Sequence, residues 1–252
     1  MARAAFEKGF VSFGFSEHGM QPFDEIYCLT LASDAAYRAE VEALKAEYAG
    51  RMRIWLGVER DACADFDRAN YDYIIGSAHY LGACGGSIAV DSTEENLRAL
   101  IAEGFGGDPY RMTAAYFQNL ADYVESFRPE IIGHFDLVKK MNARFGFFDE
   151  SDPRYTGPAL EALSRAAKTG ALLEVNTGAI ARGWREDPYP SPLLLRAWRA
   201  AGGRAIVSGD CHDAAHIDCA FDLAVQLLLD AGFTECWRLG TGRELFEPIP
   251  LA

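Results

Sequence analysis

The chain has 252 residues, half of them hydrophobic and 24% charged, with a formal net charge of −13. That size can build a core without staples, and the acidity argues against a nucleic-acid backbone or an anionic membrane surface as the main partner, since both need a basic footprint. An anionic small substrate stays open, because bound divalent cations invert the local field.

In chain order, MARAAFEKG predicts a short helix stopped by Gly9, and VSFGF a strand. Ser33 is placed to cap a helix running to Tyr48, with Gly50 as its stop. RIWLGVE and YDYIIGSA have the continuous apolar character of buried parallel strands. Cys84 to Ser87, CGGS, reads as a turn. Ser92 with Glu95 predicts a capping box opening a helix to about Ala102, and Asp108 with Pro109 starts a longer one. EIIGHF is a predicted strand, followed by a helix ended by Gly170, and then the strand ALLEVNT. Ser191 and Pro192 open a helix that stops at Gly202 and Gly203, and RAIVSGD is a strand. A helix from Ile217 to Ala231 precedes the closing segments ECWRLG and ELFEPIP.

Strands alternating with helices predict an α/β barrel. Residues 1–252 show no linker, repeat or composition break, so a single domain is expected. A βα unit begins with its strand, whereas this chain begins with a helix. The predicted barrel is therefore short of its first strand and exposes two edges. No apolar run approaches the roughly 18 residues of a membrane span, and MARAAFEKGF lacks the apolar stretch of a secretory signal. Six scattered cysteines without a C-x-x-C pair read as reduced thiols in a cytoplasmic protein.

Four of the five histidines close predicted strands: His18 after VSFGFSE, His79 after YIIGSA, His134 after IIG and His212 after AIVSGDC. Glu59 closes RIWLGV in the same way, and Asp210 lies two residues before His212. One strand-end histidine is best read as structural. Six ligand-type groups in one structural position point instead to metal at the C-terminal mouth of a barrel. Imidazole and carboxylate suit zinc, manganese and iron alike. In extended chain Asp210 and His212 face the same way, with the Cys211 sulfur opposite. Arg182 is either a two-point phosphate clamp or a solvated loop residue, and Arg185 competes for that role. Glu174 is either an ordinary strand residue or the partner that orients a ligand histidine. Lys139 or Lys140 is expected to line the cleft, and His216 is expected to be structural. No G-x-S-x-G elbow, phosphate-binding G-x-x-x-x-G-K-[ST] loop or H-E-x-x-H motif is present.

The stretches GFSEHG, LGVERD, YIIGSAHY, PEIIGHFDLVKK, LLEVNTGAIAR, DPYPS and SGDCHD together resemble the polymerase-and-histidinol-phosphatase (PHP) superfamily, in its histidinol-phosphatase branch. The resemblance implies a distorted (β/α)7 barrel with up to three divalent metal ions. His18, Glu59, His79, His134, Asp210 and His212 fall on ligand positions. Glu59 would bridge two ions, with His79 and His134 completing one of them, and Asp210 would help hold the first. His18 and His212 would serve a third, and Arg182 falls near the phosphate position. Glu59, Asp210 and Arg182 are thus the implied catalytic groups. The implied activity is hydrolysis of a small phosphorylated metabolite, L-histidinol phosphate, in histidine biosynthesis. The rivals are another phosphate monoester as substrate, or a metal-binding protein without turnover. The superfamily opens with an H-x-H strand that these residues lack, matching the strand missing from the predicted barrel.

Overall fold

The computed structural model describes residues 1–21, 23–24, 26–62, 67–81 and 88–251, so the predicted turn at Cys84 to Ser87 lies outside the described residues. In chain order the strands are β1 (Ser12–His18), β2 (Arg53–Asp61), β3 (Tyr73–Ser77), β4 (Tyr80–Leu81), β5 (Ile88–Ala89), β6 (Ile131–Ile132), β7 (Leu172–Asn176), β8 (Arg204–Ser208), β9 (Glu235–Leu239) and β10 (Phe246–Pro250). One sheet has the order β1-β2-β3-β6-β7-β8-β9-β10, and β4 pairs with β5 apart from it. Every neighbour from β1 to β9 is parallel, and only β10 returns antiparallel, on β9.

Helices cover the outer face. Those at Pro109–Phe127, Pro153–Ala166 and Pro192–Ala200 each carry proline in the first turn, where the absent N–H breaks no helical bond. Asp108 and Asp152 cap the first two by accepting backbone N–H groups. Two caps differ from expectation. Thr30, not Ser33, caps Leu31–Glu47, and the two side chains form a reciprocal box. Thr93, not Ser92, caps Glu94–Ala99 by accepting from Asn96 N. No helix among the described residues is long and apolar enough to cross a membrane.

Strand alternation sorts the core into two layers. On β2, Ile54 and Leu56 pack outward under the first two helices, while Trp55 joins Tyr73, Ile75, Ile131, Leu172 and Ile206 inside the curl. Gly14 and Gly57 face this interior beside Tyr73. A Cβ on either would lie 2.3 Å from the Tyr73 side chain, whose hydroxyl donates to Phe15 O.

The sheet curls into a partial barrel, as expected for a distorted (β/α) barrel. Ser12 Oγ donates to Leu239 O at 2.6 Å and Trp55 Nε1 to Gly240 O at 2.8 Å, bringing β1 toward β9. Among the described residues no ladder joins those two strands. A cavity of about 670 Å³ lies inside the curl, lined by β1, β8 and β9 and by Glu59, Glu174, Asp210, His18 and His212 at its polar end.

Candidate metal centre

Glu59 lies two residues before the end of β2, on the interior face set by Trp55, and is 9% exposed. Its register partner on β1 is His18, so parallel pairing alone puts an imidazole beside the carboxylate. His18 Nδ1 is 3.5 Å from Glu59 Oε2. His134, just past β6, brings Nε2 to 2.9 Å from Oε1, and His79, just past β3, brings Nε2 to 3.6 Å from the same oxygen. The His79 ring centroid is 4.8 Å from that of His134 and 5.2 Å from that of His18. Imidazoles at or just past the ends of three strands thus converge on one carboxylate.

The electrostatics follow from burial and charge. Burial alone would raise the Glu59 carboxyl, but the charge of His18, the His134 hydrogen bond and the charge of His79 together hold it well below the usual carboxylate range. Burial works against a charged His79, yet the Asp61 hydrogen bond and the charges of Glu59, Asp91 and Asp61 raise it to about 10. Burial raises Glu174, and the neighbouring Asp210 adds to it. An imidazole held that high sits in a negative field, which is also the field that stabilises a bound cation.

The donors suit such an ion. One ligand atom each from His18, Glu59 and His79 lies within 4.8 Å of the others, close enough to share a metal. His134 Nδ1 is buried with no hydrogen-bond partner among the described residues. Imidazole with carboxylate is a zinc donor set, and manganese and iron accept it too.

Asp210, His212 and Arg182 form a second group, of which Asp210 and His212 line the same cavity as Glu59. Arg182 Nη2 donates to Asp210 Oδ2 at 2.9 Å, and Nη1 donates to Asp210 O at 2.9 Å and meets His212 Nδ1 at 2.8 Å. The extended geometry expected here does not hold, because Asp210 has φ 41° and the chain turns. The Asp210 side chain therefore lies inward while that of His212 is 59% exposed. Cys211 points elsewhere, its Sγ donating to Asp213 O. No contact between His212 and His18 is seen among the described residues, although both line the cavity.

Comparison with known proteins decides the family. A Deinococcus radiodurans protein named "Probable histidinol-phosphatase" is 32% identical over 92% of this chain and 86% of its own length. The chain belongs to the histidinol-phosphatase family. The Bacillus subtilis histidinol-phosphatase is 23% identical over 89% of this chain and 90% of its own length. Among solved structures, a Listeria monocytogenes chain superposes with a TM-score of 0.75, at 19% identity over 88% of this chain and 92% of that one. The Lactococcus lactis histidinol phosphate phosphatase, crystallised with zinc, L-histidinol and phosphate, superposes with a TM-score of 0.69 at 22% identity, over 95% of this chain and 89% of that one. No family model matches the chain.

The other basic candidates of this family member have structural partners. Lys139 is fully buried between Asp136 and Asp187, each 3.0 Å from Nζ, and lines no cleft. Lys140 pairs with Asp91 at 2.7 Å. Arg185, 7% exposed, is bound to Glu150, Asp187 and Lys139 O, leaving Arg182 as the guanidinium at the site. Glu174 contacts a candidate ligand through the backbone: its Oε2 accepts from His134 N at 2.7 Å and from Asn176 Nδ2 at 2.9 Å. His216 is half-exposed near Asp213, in a turn. Sequence reasoning passed over Asp61, whose carboxylate contacts His79. Its signal was the two-residue spacing from Glu59 on one strand face.

Proposed function

We propose that this protein is a metal-dependent phosphate-monoester hydrolase acting on L-histidinol phosphate, releasing L-histidinol and phosphate in the histidine biosynthesis of the cytoplasm. The observation that carries this reading is the convergence of His18, His79 and His134 on the buried Glu59 carboxylate in a member of the histidinol-phosphatase family. The Lactococcus lactis relative, with zinc, L-histidinol and phosphate bound on the same fold, supports both substrate and metal.

In this reading residues 1–252 act as one domain, and His18, Glu59, His79, His134, Asp210 and His212 hold divalent ions. Bound ions of this kind supply positive charge to phosphate oxygens and lower the pKa of a bound water toward neutrality. The protein's own groups do the rest. Glu59 keeps the imidazoles gathered and supplies the anionic charge that retains cations. Asp210 anchors the Arg182 guanidinium through Nη1 and Nη2, and this guanidinium is the group that would meet phosphate oxygens. Cys28, Cys211, Cys219 and Cys236 are free thiols, consistent with a reducing compartment.

The test is phosphate release from L-histidinol phosphate with zinc or manganese, alongside a panel of nucleotide and sugar phosphates. Turnover of other monoesters but not of L-histidinol phosphate would move the substrate and keep the chemistry. A second reading, in which this chain binds metal without turnover, follows if the H-x-H imidazoles that the resemblance implies are needed for catalysis. Fewer than two ions per chain by elemental analysis, with no phosphate release, would establish it. Assaying the protein with and without an N-terminal extension carrying an H-x-H segment tests whether further imidazoles complete the site.

A further inference from the structure

We infer that Asp61 is the positioning residue of the site, holding the His79 ring so that Nε2, and not Nδ1, faces Glu59. The inference rests on the metal reading proposed above. Asp61 shares the inward face of β2 with Glu59 and is 5% exposed, at the level of Ser77 on β3, two residues before His79. Its Oδ2 accepts from the His79 backbone N at 2.6 Å and lies 3.2 Å from His79 Nδ1. The backbone bond fixes where the residue starts, and the ring bond fixes which way the imidazole turns. On the far side of the ring, Nε2 is left 3.6 Å from Glu59 Oε1.

A carboxylate on Nδ1–H selects the tautomer whose Nε2 lone pair is free for a cation. Asp61 Oδ1 is buried with no partner among the described residues, so the described hydrogen bonds of this carboxylate all go to His79. Both contacts go to the same oxygen, so an asparagine carbonyl in its place satisfies the backbone N–H and still meets Nδ1. What asparagine loses is the negative charge that polarises Nδ1–H and strengthens Nε2 as a ligand, so a purely structural role would survive the change and the positioning of a metal-binding imidazole by a carboxylate would not.

The experiment measures zinc affinity by chelator competition for the parent protein, Asp61→Asn, His79→Ala and the double variant. Thermal unfolding in EDTA is followed alongside. Asp61→Asn is expected to weaken zinc about 10–100-fold while leaving the EDTA midpoint close to that of the parent. In the His79→Ala background Asp61→Asn should add no further loss, because Asp61 acts through that ring. Asp61→Glu, which keeps the charge but moves it by one methylene, should also weaken zinc, and it decides the matter if the asparagine variant does not fold. Parent-like affinity in Asp61→Asn, or additive losses in the double variant, would overturn the inference while leaving the proposed function standing. A parent protein that binds no zinc, manganese or iron would overturn both.

Discussion

Glu59 shows how a single carboxylate becomes the centre of a site. Burial makes its charge costly, and three imidazoles make that charge worth keeping. Glu59→Gln keeps the volume and removes the charge. Losing an outer partner of a ligand already costs 10–100-fold, so this change should weaken metal by at least about a hundredfold, with phosphate release falling in step. Elemental analysis after dialysis and kcat/KM on L-histidinol phosphate measure the two effects. Lys139 presents the opposite case, a cation outside the site and wholly enclosed by Asp136 and Asp187. Lys139→Ala would strand buried negative charge and should destabilise by about 3–5 kcal/mol, read from the urea midpoint. A loss under about 1 kcal/mol would show that the pair is worth no more than a surface ion pair. Nothing in the string VKK separates Lys139 from Lys140, because enclosure depends on Asp187, 48 residues later.

At the level of elements, the strands were legible because parallel strands buried on both faces read as continuous apolar runs. Their lengths were less so. EIIGHF contributes only Ile131 and Ile132 to the sheet, so His134 stands beyond the last paired residue. Helix starts were found to within a few residues, but the cap itself was misplaced wherever two hydroxyl or capping residues were close neighbours. Thr30 and Ser33 bond each other, and which one ends the helix depends on the path of the preceding loop. The interior glycines give a sharper prediction. Gly57→Ala would set a Cβ 2.3 Å from the Tyr73 ring, between strands that cannot separate. It should cost about 1–3 kcal/mol, checked by chemical unfolding, and should displace Glu59 enough to weaken metal binding as well.

Over the whole molecule, the metal reading makes stability depend on ligand. A metal ion present at a hundred times its dissociation constant should stabilise the fold by about 2.7 kcal/mol. Scanning calorimetry with zinc or manganese, against EDTA, is expected to show that difference as a raised midpoint, reversible on adding metal back. Equal midpoints in metal and chelator would contradict a site built from the folded strand ends. The sheet's curl explains why the effect should be global, since His18, Glu59, His79 and His134 are up to 116 residues apart and meet only when β1, β2, β3 and β6 are in register.

The sequence by itself determined the alternation of strand and helix, the ligand-type residues at strand ends and, through its motifs, the family. Those features are local, and apolar runs, turn residues and spacing express them without reference to the rest of the chain. Only the tertiary structure decided which candidate ligands share a carboxylate, that Asp210 turns toward Arg182 while His212 is exposed, and that Asp61 contacts His79. It also decided that Lys139 and Arg185 belong to a buried ion network and not to the cleft. Each of these depends on side chains brought together from distant strands, and a strand's neighbours are set by sheet order and register, which no local pattern records.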